Sequence, residues 1–219
     1  MKRVERLRKV KIEPEKPDIE IIKDAGKLLR KGKLVAYPTD TVYGLGADPF
    51  NIKAVENLLK VKKRKRELGL PILVSDKSVA RRIAEFTPEA DLLSKNFWPG
   101  ALTLVLKNRI KIPRIVTGNR DNIAVRVPCH KVPQLLAMCL GGVLIGTSAN
   151  ISGKPSALNA QQVQEQIGSN VDMIIDSEET LIDQPSTIID LTQKPPVILR
   201  EGQISIQALE KLIEIKRKR

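Results

Sequence analysis

The sequence predicts an α/β fold: a twisted, mixed β-sheet flanked by helices. Three observations carry that expectation. Segments whose apolar residues recur at helical spacing alternate with short apolar runs of strand length. Two stretches, residues 102–127 and 173–199, hold consecutive strands with no helix between them, which a purely parallel sheet does not allow. The chain has 219 residues, 42% hydrophobic and 29% charged, enough for one large domain with a real core.

The elements follow in chain order. Residues 1–17 carry seven basic and three acidic residues, two prolines and no clean period. They read as a basic N-terminal arm with a short strand at Val10-Lys11-Ile12. From Ile19 to Lys31, the residues Ile21, Ile22, Ala25, Leu28 and Leu29 mark one helix face, and Gly32 ends it. Lys33–Pro38 is a short strand, Ile52–Val61 a helix and Ile72–Val74 a strand. Ser75 or Asp76 caps a helix reaching about Phe86. Pro88–Asn96 is a further helix, stopped by Trp98-Pro99-Gly100. Strands at Leu102–Leu106 and Asn122–Val127 precede a helix at Val132–Leu140, which ends at Gly141-Gly142. A buried strand at Val143–Gly146 and a helix at Ala160–Ile167 come next. Met173–Ile175, Thr187–Leu191 and Val197–Leu199 read as strands, and Ser205–Ile215 as a closing helix. The tail Lys216–Arg219 is a second basic end, and no internal repeat is found.

Composition excludes several function classes. Lys and Arg number 38 against 25 Asp and Glu, a net charge of +13. Such a surplus suits a polyanionic partner or substrate, because summed positive potential steers and holds phosphates. Two cysteines, Cys129 and Cys139, do not make a disulfide scaffold or a metal-ligand pair pattern. A single histidine, His130, gives no His-rich metal site and no Ser-His-Asp triad. Three Phe, two Tyr and one Trp are few for reading single-stranded bases by stacking. The charged start lacks an apolar signal segment, and no run approaches the ~18 apolar residues of a membrane helix. The expectation is a soluble, cytoplasmic protein without membrane attachment.

Four polar clusters stand at the ends of apolar strands, where loops present groups without disturbing the core. Pro38–Gly46 offers two threonine hydroxyls, a carboxylate and glycines for close backbone approach; it also fits a capped turn. Residues 60–66 hold six basic side chains in seven positions, a solvated face or a phosphate clamp next to a strand. Gly146–Gly153 supplies small hydroxyls, an amide and glycine, as phosphate or amino-acid cradles and ordinary turns both do. The fourth group is dispersed: Arg126 within an apolar strand, Ser186-Thr187 before another and Arg200-Glu201-Gly202 after a third. A guanidinium at Arg126 needs an anion, from a ligand or from a structural Asp or Glu. Neither the common phosphate loop nor the dinucleotide fingerprint is present. The residues themselves thus support a basic α/β protein with a polar cleft suited to phosphate.

Together and in order, these clusters resemble the YrdC-like domain of the L-threonylcarbamoyladenylate synthase family. The matching pieces are PTDTVYGLGA (38–47), KVKKR (60–64), GLPILVSD (69–76), WPGALTLVL (98–106), IAVRVP (123–128), TSANISGKPS (147–156), STIIDL (186–191) and ILREG (198–202). The resemblance implies a YrdC-like fold with a basic concave cleft. Its domain plan would be a basic arm at 1–17, a catalytic domain at 18–203 and a C-terminal helix and basic tail at 204–219, the single-domain form. It implies a nucleotidyltransferase that makes threonylcarbamoyl-AMP and pyrophosphate from L-threonine, bicarbonate and ATP. A downstream threonylcarbamoyl transferase complex would use that product for the threonylcarbamoyladenosine modification of tRNA next to the anticodon.

By the same resemblance, Lys62 and Arg64 are the catalytic pair and contact the triphosphate of ATP, with Asn150 and Arg200 also on the nucleotide. Thr41, Arg126, Ser148 and Ser186 fall on threonine-binding positions, Arg126 toward the carboxylate. Mg2+ is expected with ATP, without a dedicated protein metal site. Four positions depart from the family pattern: Lys65, Leu68, Leu73 and Leu158. They bear on ligand geometry and on substrate choice. A rival reading of the same basic surface is a non-catalytic protein binding tRNA or double-stranded RNA; a relative acting on another amino acid is a third.

Overall fold

The computed structural model describes residues 7–177 and 183–216. The strands form two mixed sheets rather than one. The first has five strands in the order β1-β9-β2-β3-β8: β1 (Arg8–Lys11), β9 (Met173–Asp176), β2 (Val35–Tyr37), β3 (Gly44–Gly46) and β8 (Thr147–Ser148). The second has six in the order β11-β10-β5-β6-β4-β7. These are β11 (Val197–Arg200), β10 (Thr187–Asp190), β5 (Leu102–Lys107), β6 (Asn122–Arg126), β4 (Ile72–Val74) and β7 (Val143–Ile145). Parallel pairs (β10 with β5, β4 with β6) alternate with antiparallel ones (β5 with β6, β4 with β7), as consecutive strands in the sequence require.

The longer helices keep their expected places: α1 (Ile19–Arg30), α2 (Ile52–Lys62), α4 (Pro88–Phe97), α6 (Lys131–Cys139) and α7 (Ala160–Ile167). Their starts are set by side-chain caps that accept otherwise unpaired backbone N–H groups. Asp18 caps α1, Asn51 caps α2, Thr87 caps α4 and Asn159 caps α7. Asp76 caps α3 (Lys77–Ile83), which stops short of Phe86 because Ala84 turns extended and bridges to Asn108.

Alternation along the strands explains both the core and the cleft. In β2, Val35 and Tyr37 join a cluster under α1 and α6, while Ala36 joins the larger core; β4, β7 and β9 divide in the same way. Covered on both faces, these strands read as unbroken apolar runs. In β5 and β6 only one face is core: Leu102, Leu104 and Leu106, and Ile123 and Val125. The other face carries Thr103, Val105, Ala124 and Arg126, joined from β10 by Ile188 and Asp190, and it floors a cleft.

Several expectations are corrected. The pieces at 44–46 and 147–148 are strands, not turns. Gly44 and Gly46 clasp the Tyr37 ring so closely that a Cβ would lie 2.6 and 2.7 Å from it, which hides the strand pattern behind glycines. A short helix, α5 (Arg114–Thr117), interrupts the stretch between β5 and β6. The expected arm contributes residues 8–11 to a sheet, parallel to β9. The closing helix is only α8 (Ile206–Glu210); beyond it the backbone of Lys216 bonds to Pro196 O at 2.8 Å, completing an edge instead of another helical turn. Of the expected basic ends, residues 1–6 and 217–219 lie outside the described residues.

Candidate active site

A pocket of about 110 Å3 opens where the uncovered face of the second sheet meets β3 and β8 of the first. Six expected residues line it: Thr41, Arg64, Arg126, Ser148, Ser186 and Arg200. They come from widely separated segments, and the floor pattern above puts them side by side. Arg126 rises from β6 with its guanidinium held on three sides. Its Nε donates to Gly100 O at 2.8 Å, Nη1 to Thr41 Oγ1 at 3.1 Å and Nη2 to Asp40 Oδ1 at 2.6 Å. The Arg126 and Asp40 side chains are 7% and 13% exposed, so the anion required by the buried arginine is structural.

Arg200 is turned inward from β11, donating through Nε and Nη2 to Ser186 O at 3.0 and 2.7 Å. Its Nη2 also reaches Ser186 Oγ at 3.2 Å, and that oxygen lies 2.8 Å from Thr103 Oγ1. Arg64 follows the C-cap Lys63, whose φ of 50° bends the chain off α2 toward the cleft. Its Nη2 donates to Gly69 O at 3.0 Å, while its Nε is buried without a protein partner. Burial pulls the Arg64 and Arg200 guanidiniums below their usual range, and the charges of Arg126 and Arg64 add to the effect on Arg200. Three arginines facing one carboxylate leave the pocket positive. An anionic ligand with several oxygens would relieve that repulsion and take the free N–H groups.

Lys62 and Asn150 stand elsewhere than a direct clamp would place them. Neither lines the pocket. Lys62 is only 1% exposed, and its ammonium lies behind Ser148, bonded to Ser148 O at 2.5 Å, Asn150 O at 2.8 Å and Asn150 Oδ1 at 2.9 Å. Burial and the nearby Arg64 charge bring its pKa down to about 7. Helix α2 thus anchors the 148–150 turn through its last side chain, with Ser152 N bonding back to Lys62 O at 2.8 Å.

Sequence reasoning missed Thr103, which also lines the pocket, as does Thr39, noted there only as one of the two hydroxyls of its cluster. A threonine at an alternate position of the apolar strand LTLVL was the available signal for Thr103. Asp40, noted only as a carboxylate within its cluster, is the partner of Arg126. Of the four departures, Leu73 lines the pocket and Leu68 lines a second cavity of about 460 Å3 that continues along the same sheet face. That cavity shares Arg64 and Ile188 with the first and adds Asn122, Asp190, Arg120 and the apolar Leu199. Lys65 opens the turn at 66–68, and Leu158 donates its backbone N–H to Gln162 Oε1. His130 spends Nδ1 on capping α6. Among the described residues, no group of three His, Cys, Asp or Glu is placed to hold a metal ion.

The Sua5/YciO/YrdC family model, described as Telomere recombination, matches residues 27–202, a span that contains every pocket residue named above. The chain belongs to the Sua5/YciO/YrdC family. It is 42% identical over 193 residues to a threonylcarbamoyl-AMP synthase of Pyrococcus abyssi, covering 88% of this chain and 57% of that protein. It is 36% identical over 170 residues to a threonylcarbamoyl-AMP synthase of Halorhodospira halophila, covering 77% of this chain and 89% of the relative. The solved structure of P. abyssi Sua5 in complex with L-threonine superimposes with a TM-score of 0.88 at 40% identity, over 96% of this chain and 62% of that one. The chain therefore spans less than two thirds of its archaeal relative. As a Sua5/YciO/YrdC chain it has the mixed α/β architecture its sequence suggested, built on two sheets rather than one.

Proposed function

We propose that this chain is a threonylcarbamoyl-AMP synthase that forms threonylcarbamoyl-AMP and pyrophosphate from L-threonine, bicarbonate and ATP. The observation that carries the reading is the convergence of three arginines and six threonine and serine residues (Thr39, Thr41, Thr103, Thr147, Ser148 and Ser186) on one pocket. Kinship with proteins named for that activity supports it. Threonine occupies the end near Thr41, Ser148, Ser186 and Arg126, its carboxylate taking N–H groups of Arg126 that Asp40, Thr41 and Gly100 leave free. The triphosphate lies against Arg64 and Arg200, and the adjoining cavity accommodates the nucleoside.

The chemistry asks little of the protein beyond placement and charge neutralisation. The threonine amine and bicarbonate give a carbamate and water. A carbamate oxygen attacks the α-phosphorus as the bond to the departing pyrophosphate breaks, the pyrophosphate leaving with the bonding electrons. Arg64 and Arg200 stabilise charge on the phosphates, and buried Arg126 orients the amino acid. Mg2+ carried on ATP would supply further neutralisation of the triphosphate charge beside Arg64 and Arg200; among the described residues no group of three His, Cys, Asp or Glu is placed to hold an ion by itself. Residues 18–203 form the catalytic domain in this reading, with β1 tied onto it. The protein works in the cytoplasm, and a separate transferase complex moves the threonylcarbamoyl group to tRNA.

Pyrophosphate release with Mg2+, bicarbonate, ATP and L-threonine, with the adenylate identified by mass spectrometry, tests the proposal. Product that disappears when threonine or bicarbonate is omitted supports it. Folded protein that yields none overturns it.

A further inference from the structure

Lys62 uses every donor it has on one turn. Protonated, as it is below pH 7, Lys62 carries three N–H groups and no lone pair, and their partners are Ser148 O, Asn150 O and Asn150 Oδ1. These contacts settle which way the Asn150 amide faces. Its Oδ1 accepts from Lys62, while its Nδ2 donates to Lys154 O at 2.5 Å. A flipped amide would oppose donor to donor at one end and acceptor to acceptor at the other. With Oδ1 facing Ser148, the 2.6 Å contact between them has one sense: Ser148 Oγ donates its only proton to Oδ1. Toward the pocket, Ser148 offers lone pairs alone.

Thr41 reaches the same state by another route. Thr39 Oγ1 donates to Val42 O at 2.7 Å, which spends its single proton. Thr41 Oγ1, 3.0 Å from Thr39 Oγ1, is therefore the donor of that pair, and it accepts from Arg126 Nη1 at 3.1 Å. Two hydroxyl oxygens thus present acceptors in a pocket whose arginines present only donors.

We propose that Lys62 is a positioning residue for the amino-acid end of the pocket: through Asn150 it locks Ser148 Oγ as an acceptor for N–H or O–H groups of the ligand. The inference rests on the threonine reading above. It differs from a role confined to the triphosphate, because it makes Lys62 matter when no nucleotide is present.

The test is calorimetric titration of the full chain with L-threonine, without ATP or bicarbonate. Lys62→Met and Ser148→Ala should each weaken binding about tenfold, the scale of one buried hydrogen bond. The double variant should lie within about twofold of Ser148→Ala, since both remove one coupled contact. Should Lys62→Met not fold, Asn150→Leu, which removes the same acceptor, enters the same cycle. Unchanged threonine affinity in Lys62→Met, or losses that simply add in the double variant, overturn the inference while leaving the proposed activity standing. Wild-type protein that binds no threonine overturns the threonine reading and the inference with it.

Discussion

Each charged side chain at or behind the pocket has a different energetic duty, and the differences are measurable. Arg64 keeps a buried Nε without a protein partner, a cost to the empty fold. Arg64→Ala should therefore lower kcat/KM for ATP by about 100-fold, while the thermal midpoint stays level or rises. Steady-state pyrophosphate release and a thermal melt of the same preparation check both halves. Asp40 is the reverse case, a structural counter-ion. Asp40→Ala strands the Arg126 charge, and urea unfolding should show a loss of about 3 kcal/mol, the range for breaking a buried pair. Lys62 adds a pH signature. Its pKa is about 7 in the fold and near 10.5 when exposed, so between those values the unfolded chain binds more protons. Stability from this group therefore rises with pH across that window and is lowest below it. The unfolding free energy of wild type relative to Lys62→Met should increase between pH 7 and pH 10; a difference independent of pH would show that Lys62 keeps its ordinary pKa in the fold.

Elements place these groups, and their packing is tight where loops cross the cleft. Gly202, just after β11, lies against Pro185 and Ser186 backbone so closely that any Cβ would overlap it. The same segment bonds back to β10, with Gly202 N and Ile204 N both on Thr187 Oγ1. Gly202→Ala should push Ser186 and Arg200 out of register, costing roughly 1–3 kcal/mol of stability and a larger share of activity. Denaturant midpoints and pyrophosphate release, read together, separate the two effects. Most elements were legible beforehand because their cues are local. Apolar residues at helical spacing marked the helices, Ser75 or Asp76 marked one helix start, and unbroken apolar runs marked strands covered on both faces. The exceptions had non-local causes. Strands β3 and β8 were hidden because Gly44 and Gly46 yield their side-chain space to Tyr37, and α8 ended early because Lys216 found a partner at Pro196.

At the scale of the molecule, a net charge of +13 exceeds what one nucleotide requires. Duplex RNA should bind weakly and without sequence preference, its affinity falling linearly with log salt at a slope near −0.9 per phosphate contact on a B-form duplex scale. Filter binding from low to moderate salt measures that slope. Arg64→Ala should change it by no more than about one contact, whereas turnover collapses; the reverse pattern would favour the non-catalytic RNA-binding reading. Among the described residues no helix is long and apolar enough to cross a membrane. What the sequence by itself determined was the mixed α/β class, the order of helices and strands and which polar clusters mattered, because capping, periodicity and strand-end loops are written in neighbouring residues. Tertiary structure alone decided that there are two sheets, that Asp40 answers Arg126, and that Lys62 stands behind the pocket wall. Those outcomes join residues far apart in the chain, Lys62 with Asn150 and, in the first sheet, Arg8 with Met173, and such pairings are set by how strands align and faces are covered.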